Sequence, residues 1–213
     1  MNQYKHNLLT RFMKYYREKG VWKTLRRMYE QPYRLLFKGQ MCLYYADMNQ
    51  LSESVLNLPN GITIECKKKY NEAIGSEMQR MIDYWDKENE TDKVRERFEK
   101  GAILWIIKLD ENIAGFGWSI RGKMVHPFYL PLTPHDAVLF SYEIFEEYRG
   151  CSLYTLLLNF IFGRLKLEGV GRAFIFVSAW NTPSIRGIEK SCFRKFCKAR
   201  RFHPFGRNIT IWS

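Results

Sequence analysis

The segment FEEYRGCSLYTLL at 145–157 holds the residues whose types and order are best suited to chemistry. Its first residue closes an alternating stretch, Ala137 to Phe145, that predicts a strand. Its last residues open a run from Ser152 to about Leu167 that is apolar nearly all round and predicts a buried helix, with Gly169 as a stop signal. A strand that passes through a short basic loop of small residues into a helix gathers unpaired backbone N–H groups and the positive end of a helix dipole at one point. That point suits a phosphate or pyrophosphate. Arg149 adds a fixed positive charge beside it. Upstream, simple alternation puts Ala137, Leu139, Ser141, Glu143 and Phe145 on one face, so Glu143 shares a face with a small hydroxyl at the entry to the loop. A partly buried carboxylate there can take a proton directly or through a water; the alternative is a structural carboxylate paired with a nearby arginine.

Other reactive side chains carry less. His126 and His135 flank a loop with three prolines (121–135), a natural rim for a substrate, but a loop histidine is more often an ordinary surface residue. Cys151 stands beside the phosphate loop, where a helix N-terminus would activate a thiol, and a bystander thiol is the plainer reading. The five cysteines (Cys42, Cys66, Cys151, Cys192, Cys197) form no CxxC pair, so neither a disulfide framework nor a metal site is expected, and the thiols should be reduced. No Ser/His/Asp order is present to pursue.

The elements that must position this loop read as follows. From Asn7 to about Tyr29, Leu8, Phe12, Tyr15, Tyr16, Trp22, Leu25 and Tyr29 recur at helical spacing among basic residues, predicting one or two amphipathic helices. MCLYYADM (41–48) reads as an edge strand, and a boundary is expected in the linker from Gln50 to Pro59. Ile62 to Cys66 alternates like a strand, helices are expected over 71–86 and 92–100, and ILWIIKL (103–109) with IAGFGWSI (113–120) forms a hairpin pattern. AFIFV (173–177) suits a central strand covered on both faces. Thr182-Pro183 opens a helix expected to run to about Phe196, and NITIW (208–212) is a short strand candidate. The order implies an α/β (α+β) fold, a mixed and mostly antiparallel sheet flanked by helices with one β-α-β crossover. Residues 1–40 are expected to be a basic amphipathic helical arm and 41–213 one domain.

Composition agrees with a folded domain: 213 residues, 46% hydrophobic and 26% charged, are too apolar for a disordered chain. No window approaches the roughly 18 apolar residues of a membrane span, and no secretory leader is visible at the N-terminus, so a cytoplasmic location is expected. The net charge of +12 is unevenly spread: net +8 in 1–40, −6 in 41–148 and +10 in 149–213. This suggests anionic partners at two separate places, a membrane surface, a nucleic acid or a phosphorylated ligand; the arm either packs its aromatic stripe on the domain and leaves its basic face solvated, the plainer reading, or lies on an anionic membrane surface at the inner face.

The two segments YRGCSLYTLL (148–157) and NTPSIRGIEKSCF (181–193) resemble the signatures of the GCN5-related N-acetyltransferase (GNAT) superfamily. In that family an Arg/Gln-x-x-Gly-x-Gly/Ala loop holds the acetyl-CoA pyrophosphate, and a later strand ends in an Asn that opens a helix reading roughly N-x-x-S/A-x-x-x-Y-E-K-x-G-F. The hairpin LDENIAGFGW is similar to the family's second and third strands, and the likeness covers about residues 62–200. The resemblance implies acetyl-CoA as cosubstrate, a small primary amine as acceptor and transfer by direct attack with no metal. It assigns cosubstrate binding to Arg149, Gly150, Cys151, Ser152, Leu153 and Tyr154, places Asn181 and Ser184 beside the pantetheine arm, and gives the N–H groups of Ile144 and Phe145 the thioester carbonyl. Glu143 is the candidate catalytic base.

Asn181, Ser184, Glu189, Lys190 and Phe193 match the second signature. Ser152 replaces the first loop glycine, Cys192 replaces the later one, and Ile188 stands where many members carry the tyrosine that protonates the thiolate. Tyr154 follows a branch reading YRGxGLYxxLL. The acceptor expected from the layout, basic arm included, is an amino sugar or sugar nucleotide of surface polysaccharide synthesis, and a homodimer is compatible with it. Two other classes remain open at this stage. One is a non-catalytic module that binds acyl-CoA or a partner. The other is a nucleic-acid surface built from Arg186, Lys190, Arg194, Lys195, Lys198, Arg200 and Arg201 with Phe193, Phe196 and Phe202, disfavoured because no defined nucleic-acid motif accompanies it.

Overall fold

The computed structural model describes residues 39–48, 57–73, 75–84, 87–125, 128–202 and 209–213, together with Tyr16, Gly20 and Val21. The expected arm over 1–40 and His126 lie outside the described residues, apart from those isolated positions and Gly39 and Gln40.

Eight strands form one sheet: β1 (Gln40–Asp47), β2 (Ile62–Lys67), β3 (Ile103–Leu109), β4 (Asn112–Arg121), β5 (Asp136–Ile144), β6 (Arg172–Ser178), β7 (Arg194–Phe202) and β8 (Ile209–Trp212). Their spatial order is β2-β3-β4-β5-β6-β1-β7-β8, and every neighbouring pair is antiparallel except β5 with β6. The β5-to-β6 crossover runs through α3 (Leu153–Leu167). Helices α1 (Ser76–Tyr84) and α2 (Lys87–Glu99) follow β2, and α4 (Thr182–Glu189) follows β6. No helix among the described residues is long and apolar enough to cross a membrane.

Two cores cover the two faces. Leu153, Leu157, Leu158, Ile161, Phe162 and Leu165 of α3 pack on Trp105, Ile107, Ala114, Leu139, Ile175 and Tyr44. On the opposite face Met78, Met81 and Ile82 of α1 and Val94 and Phe98 of α2 cover Leu104, Ile106, Phe116, Trp118 and Val138. The run ILWIIKL therefore needs no polar face: Leu104 and Ile106 serve one core while Trp105 and Ile107 serve the other. Within the sheet the buried Trp105 Nε1 donates to Ser119 Oγ at 2.8 Å.

Three sequence expectations are corrected. MCLYYADM is not an edge: β1 lies between β6 and β7, with Leu43 paired to Phe176 on one side and to Cys197 on the other. Its unbroken apolar stretch is that of a strand covered on both faces, and long-range pairing is invisible to a local pattern. The helix opened at Thr182 ends at Glu189 rather than near Phe196; Ser191 N and Oγ both donate to the Ile188 carbonyl, closing a turn from which β7 departs. In agreement with the nucleic-acid surface being the disfavoured reading, Phe193 is 4% exposed and belongs to the α3-side core, so it offers no stacking surface to a nucleic acid.

The third correction is the alternation of β5. Phe116 pairs with Glu143 and Trp118 with Phe140, so two β5 residues, Ser141 and Tyr142, oppose the single Gly117. This is a β-bulge, with Ser141 at φ 53. Before it Leu139 faces α3; after it Tyr142 and Ile144 do, while Phe145 faces α1. Glu143 is thereby turned to the face opposite Leu139.

Candidate active site

β5 and β6 pair only from Asp136 with Arg172 to Leu139 with Ile175. Beyond Leu139 the bulge turns β5 aside, and the two strands part like a fork. The limbs bound a cleft of about 910 Å³, within the usual range for small-ligand sites. Its walls bring together Glu143, Ile144, Arg149, Gly150, Ser152, Leu153, Tyr154, Asn181 and Ser184, which the sequence singled out from two segments some thirty residues apart. A smaller void of about 190 Å³ continues into the fork, between Phe140, Ser141 and Tyr142 on one side and Ile175, Phe176 and Val177 on the other.

The loop into α3 has two residues in the left-handed region, Gly150 at φ 89 and Ser152 at φ 58. Ser152 occupies the N-cap position of α3 with φ 58 and ψ 9, and its hydroxyl makes no capping hydrogen bond. A serine caps from an extended backbone; from the left-handed region its oxygen is turned away from the first-turn N–H groups. The N-terminus of α3, a helix of 15 residues, is consequently left without a side-chain cap at the mouth of the cleft. Those donors and the helix dipole suit the pyrophosphate of a coenzyme.

Opposite stands α4. Asn181 is its N-cap and accepts from Ser184 N at 3.4 Å, and Pro183 supplies the preset first turn. The helix is seated on α3 at Gly187, where a Cβ would come within 2.6 Å of Tyr154 Cδ1, and Thr155 Oγ1 donates to the Gly187 carbonyl at 3.1 Å. Burial pushes the Tyr154 hydroxyl above its ordinary pKa.

Glu143 and Arg149 meet. Arg149 Nη2 donates to Glu143 Oε1 at 2.9 Å and to the Tyr84 hydroxyl at 2.9 Å, and Nε donates to the Ile144 carbonyl at 3.1 Å. Both partners are partly exposed, the side chains at 46% for Arg149 and 28% for Glu143. Burial and the Glu143 carboxylate push the Tyr84 hydroxyl up to about 12, so it stays protonated across the physiological range. Tyr84, at the end of α1, has no local signal in the sequence; only the tertiary fold carries it to Arg149.

The two backbone N–H groups expected at a carbonyl oxygen part company. Phe145 N donates to the Ala114 carbonyl at 2.9 Å, so that donor is used within the sheet and is corrected out of the site. Successive N–H groups of a strand point to opposite edges, which turns the Ile144 N–H toward the open side of the fork. Neither Phe145 nor Cys151 lies on the cleft wall. Phe145 is instead 2% exposed, with the Arg80 guanidinium 4.7 Å over its ring.

Ile188 is 1% exposed and buried beneath α4, so the position facing that core carries no proton donor. Burial pushes the Cys192 thiol up to about 12, and its backbone N donates to Asn159 Oδ1 at 3.2 Å. His135 is exposed at the start of β5, at the far end of that strand from the cleft. Among the described residues, no three His, Cys, Asp or Glu side chains gather in a way that could hold a metal ion.

Residues 68–192 match the model of the acetyltransferase (GNAT) family. No curated protein matches the sequence. Among solved structures, a tandem GNAT protein from the clavulanic acid biosynthesis pathway superposes with a TM-score of 0.50 at 15% identity, covering 75% of this chain and 51% of that one. A functionally unknown conserved protein from Staphylococcus epidermidis ATCC 12228 gives 0.50 at 9% identity, with 75% and 59% covered. A GCN5-related glucosamine N-acetyltransferase region of a fungal multi-domain GH3 β-N-acetylglucosaminidase gives 0.52 at 11% identity, with 76% and 20% covered. At such identities the likeness is one of fold, and the chain spans less than two thirds of the length of each of these solved relatives.

Proposed function

The chain belongs to the acetyltransferase (GNAT) family, whose members are acyl-CoA-dependent N-acyltransferases, and from that premise we propose that it transfers an acetyl group from acetyl-CoA to the primary amine of a small acceptor. The observation that carries this reading is the fork between β5 and β6, which opens between an uncapped helix N-terminus and a carboxylate. Backbone N–H groups from Gly150 to Tyr154 hold the pyrophosphate at the start of α3, and the pantetheine arm passes Asn181 and Ser184 into the fork.

The acceptor nitrogen attacks the thioester carbonyl carbon, and the carbonyl oxygen takes up negative charge against the Ile144 N–H. Glu143, held by Arg149 on the α1 side of the sheet, accepts the proton lost by the nitrogen, directly or through one water. The tetrahedral intermediate then expels the CoA thiolate. An amide and free CoA result, with no covalent enzyme intermediate. With Ile188 buried and no side-chain acid in its place, the thiolate leaves through the open cleft and takes its proton from bulk water. The acceptor class proposed is an amino sugar or sugar nucleotide, on the strength of the layout with its basic N-terminal arm.

The test is release of free CoA thiol across a panel of amines, amino sugars and sugar nucleotides included, combined with calorimetric titration of acetyl-CoA. Glu143→Gln is expected to lower kcat by about 10²-fold or more while leaving acetyl-CoA affinity unchanged. Full activity of that variant would remove Glu143 as base. Binding of acetyl-CoA with no CoA release on any amine would favour a non-catalytic binding module, for which the buried Ile188 speaks.

A further inference from the structure

Arg149 is the cation that the loop motif offers to the phosphates of a coenzyme, yet its guanidinium is already engaged by Glu143, Tyr84 and the Ile144 carbonyl, each within 3.1 Å. Moving it to a phosphate would leave Glu143 without its cation. The other cations on the cleft wall are Arg186 and Lys190, four residues apart and so on one side of α4. Both are exposed, and among the described residues neither forms an ion pair. They flank Gly187, the residue seated on Tyr154 of α3, so their distance from the α3 N-terminus is fixed by a close helix contact.

The charge extends onto β7. Tyr44 pairs with Lys195 and Cys42 with Lys198; Tyr44 and Cys42 belong to the α3-side core, and cross-strand neighbours point to the same face. Lys195 and Lys198 therefore face the α4 side, where the nearby acid, Glu189, accepts from the Tyr44 hydroxyl at 2.9 Å.

Coenzyme A carries two anionic groups, a pyrophosphate and a 3′-phosphate monoester that is close to doubly charged at neutral pH. The α3 N-terminus suits the first. We propose that Arg186 and Lys190 form the site of the second, with Lys195 and Lys198 adding to its field, and that Arg149 is a positioning residue for Glu143 rather than the phosphate anchor. This rests on the acyl-CoA reading above. It makes the 3′-phosphate a specificity determinant, read by α4.

The experiment is calorimetric titration of CoA and 3′-dephospho-CoA into the full chain, the Arg186→Gln/Lys190→Gln double variant and Arg149→Gln, at about 0.15 M salt, each variant checked by its thermal melt. The wild type should prefer CoA by about tenfold or more. The double variant should bind CoA only as well as dephospho-CoA, with dephospho-CoA affinity within about twofold of wild type. Arg149→Gln should keep the preference and a near-normal KM for acetyl-CoA while lowering kcat. Equal affinities in the wild type, equal losses for both ligands in the double variant, or loss of the preference in Arg149→Gln would each overturn the assignment while leaving the acyl-CoA reading in place. Binding of neither ligand by the wild type would instead strike at the acyl-CoA reading itself and take this site with it.

Discussion

Replacing Ser152 by glycine should make the protein more stable. Ser152 is held at φ 58, a region that costs an L-residue roughly 1–2 kcal/mol and glycine almost nothing. Glycine gives back about 0.4–1 kcal/mol of this through the greater freedom of the unfolded chain. Because the serine hydroxyl makes no capping bond, nothing is lost with it. The net expectation is a gain of about 0.5–1 kcal/mol, or a Tm raised by about 1–4 °C for a chain of this size, read by calorimetry or circular dichroism. Two companions sharpen the test. Ser152→Ala keeps the strain and removes only the idle hydroxyl, so its Tm should match the wild type. Gly150→Ala, at φ 89 with open space around its Cβ, should lose about 0.5–1 kcal/mol, the backbone strain less the unfolded-chain freedom that alanine removes. A lowered Tm for Ser152→Gly, or an Ala variant as destabilised as Gly150→Ala, would refute the reasoning, because the hydroxyl would then be holding something.

Gly187→Ala puts a Cβ within 2.6 Å of Tyr154 Cδ1 and should cost about 1–3 kcal/mol, with part of the loss recovered by Tyr154→Ala in a double-mutant cycle. A neutral Gly187→Ala would show that α3 and α4 are free to slide. Asp136, at 2% exposure, would have its carboxyl raised by burial, but Arg172 and the Thr133 N–H and hydroxyl outweigh this and hold it below the ordinary value. A depressed pKa gives stability that is present above the unfolded value of about 3.9 and is lost as pH falls through the folded one. Asp136→Asn should therefore cost about 1.5–3 kcal/mol at pH 7, with its denaturation midpoint converging on the wild type below about pH 4. Parallel curves over that range would count against the linkage.

The site was the more legible part of the molecule. An alternating strand, a small-residue loop and an all-apolar helix in that order already point to the loop at the mouth of the cleft, and Thr182-Pro183 marks the start of α4, although the cap itself falls one residue earlier, on Asn181. The hairpin β3–β4, the doubly covered β6 and the crossover helix were likewise written in short-range periodicity. What escaped was set by distant partners. Nothing near Ser141 announces a bulge, since the extra residue is defined by the Gly117 it opposes, and that bulge decides which way Glu143 faces. The cations of β7 masked its strand pattern, because Arg and Lys are poor strand signals and invite a surface reading. The Phe145 N–H was misassigned because a ladder bond to Ala114 cannot be seen from β5 alone.

The place of β1 in the sheet has a consequence for how the chain is made. Asp47 pairs with Arg172 and Gln40 with Arg200, so β1, which leaves the ribosome ahead of the other described strands, finds its two neighbours only when the C-terminal third has followed. At roughly 5–20 residues per second, that is a wait of order ten seconds for a strand whose centre is Cys42-Leu43-Tyr44-Tyr45. During that interval both of its edges and both of its faces are bare, the condition under which unpaired strands associate with other chains. Yield in the cell should thus depend on how quickly β6 and β7 arrive, and slowing translation between β1 and β6 should lower soluble expression without changing the stability of the molecules that do fold.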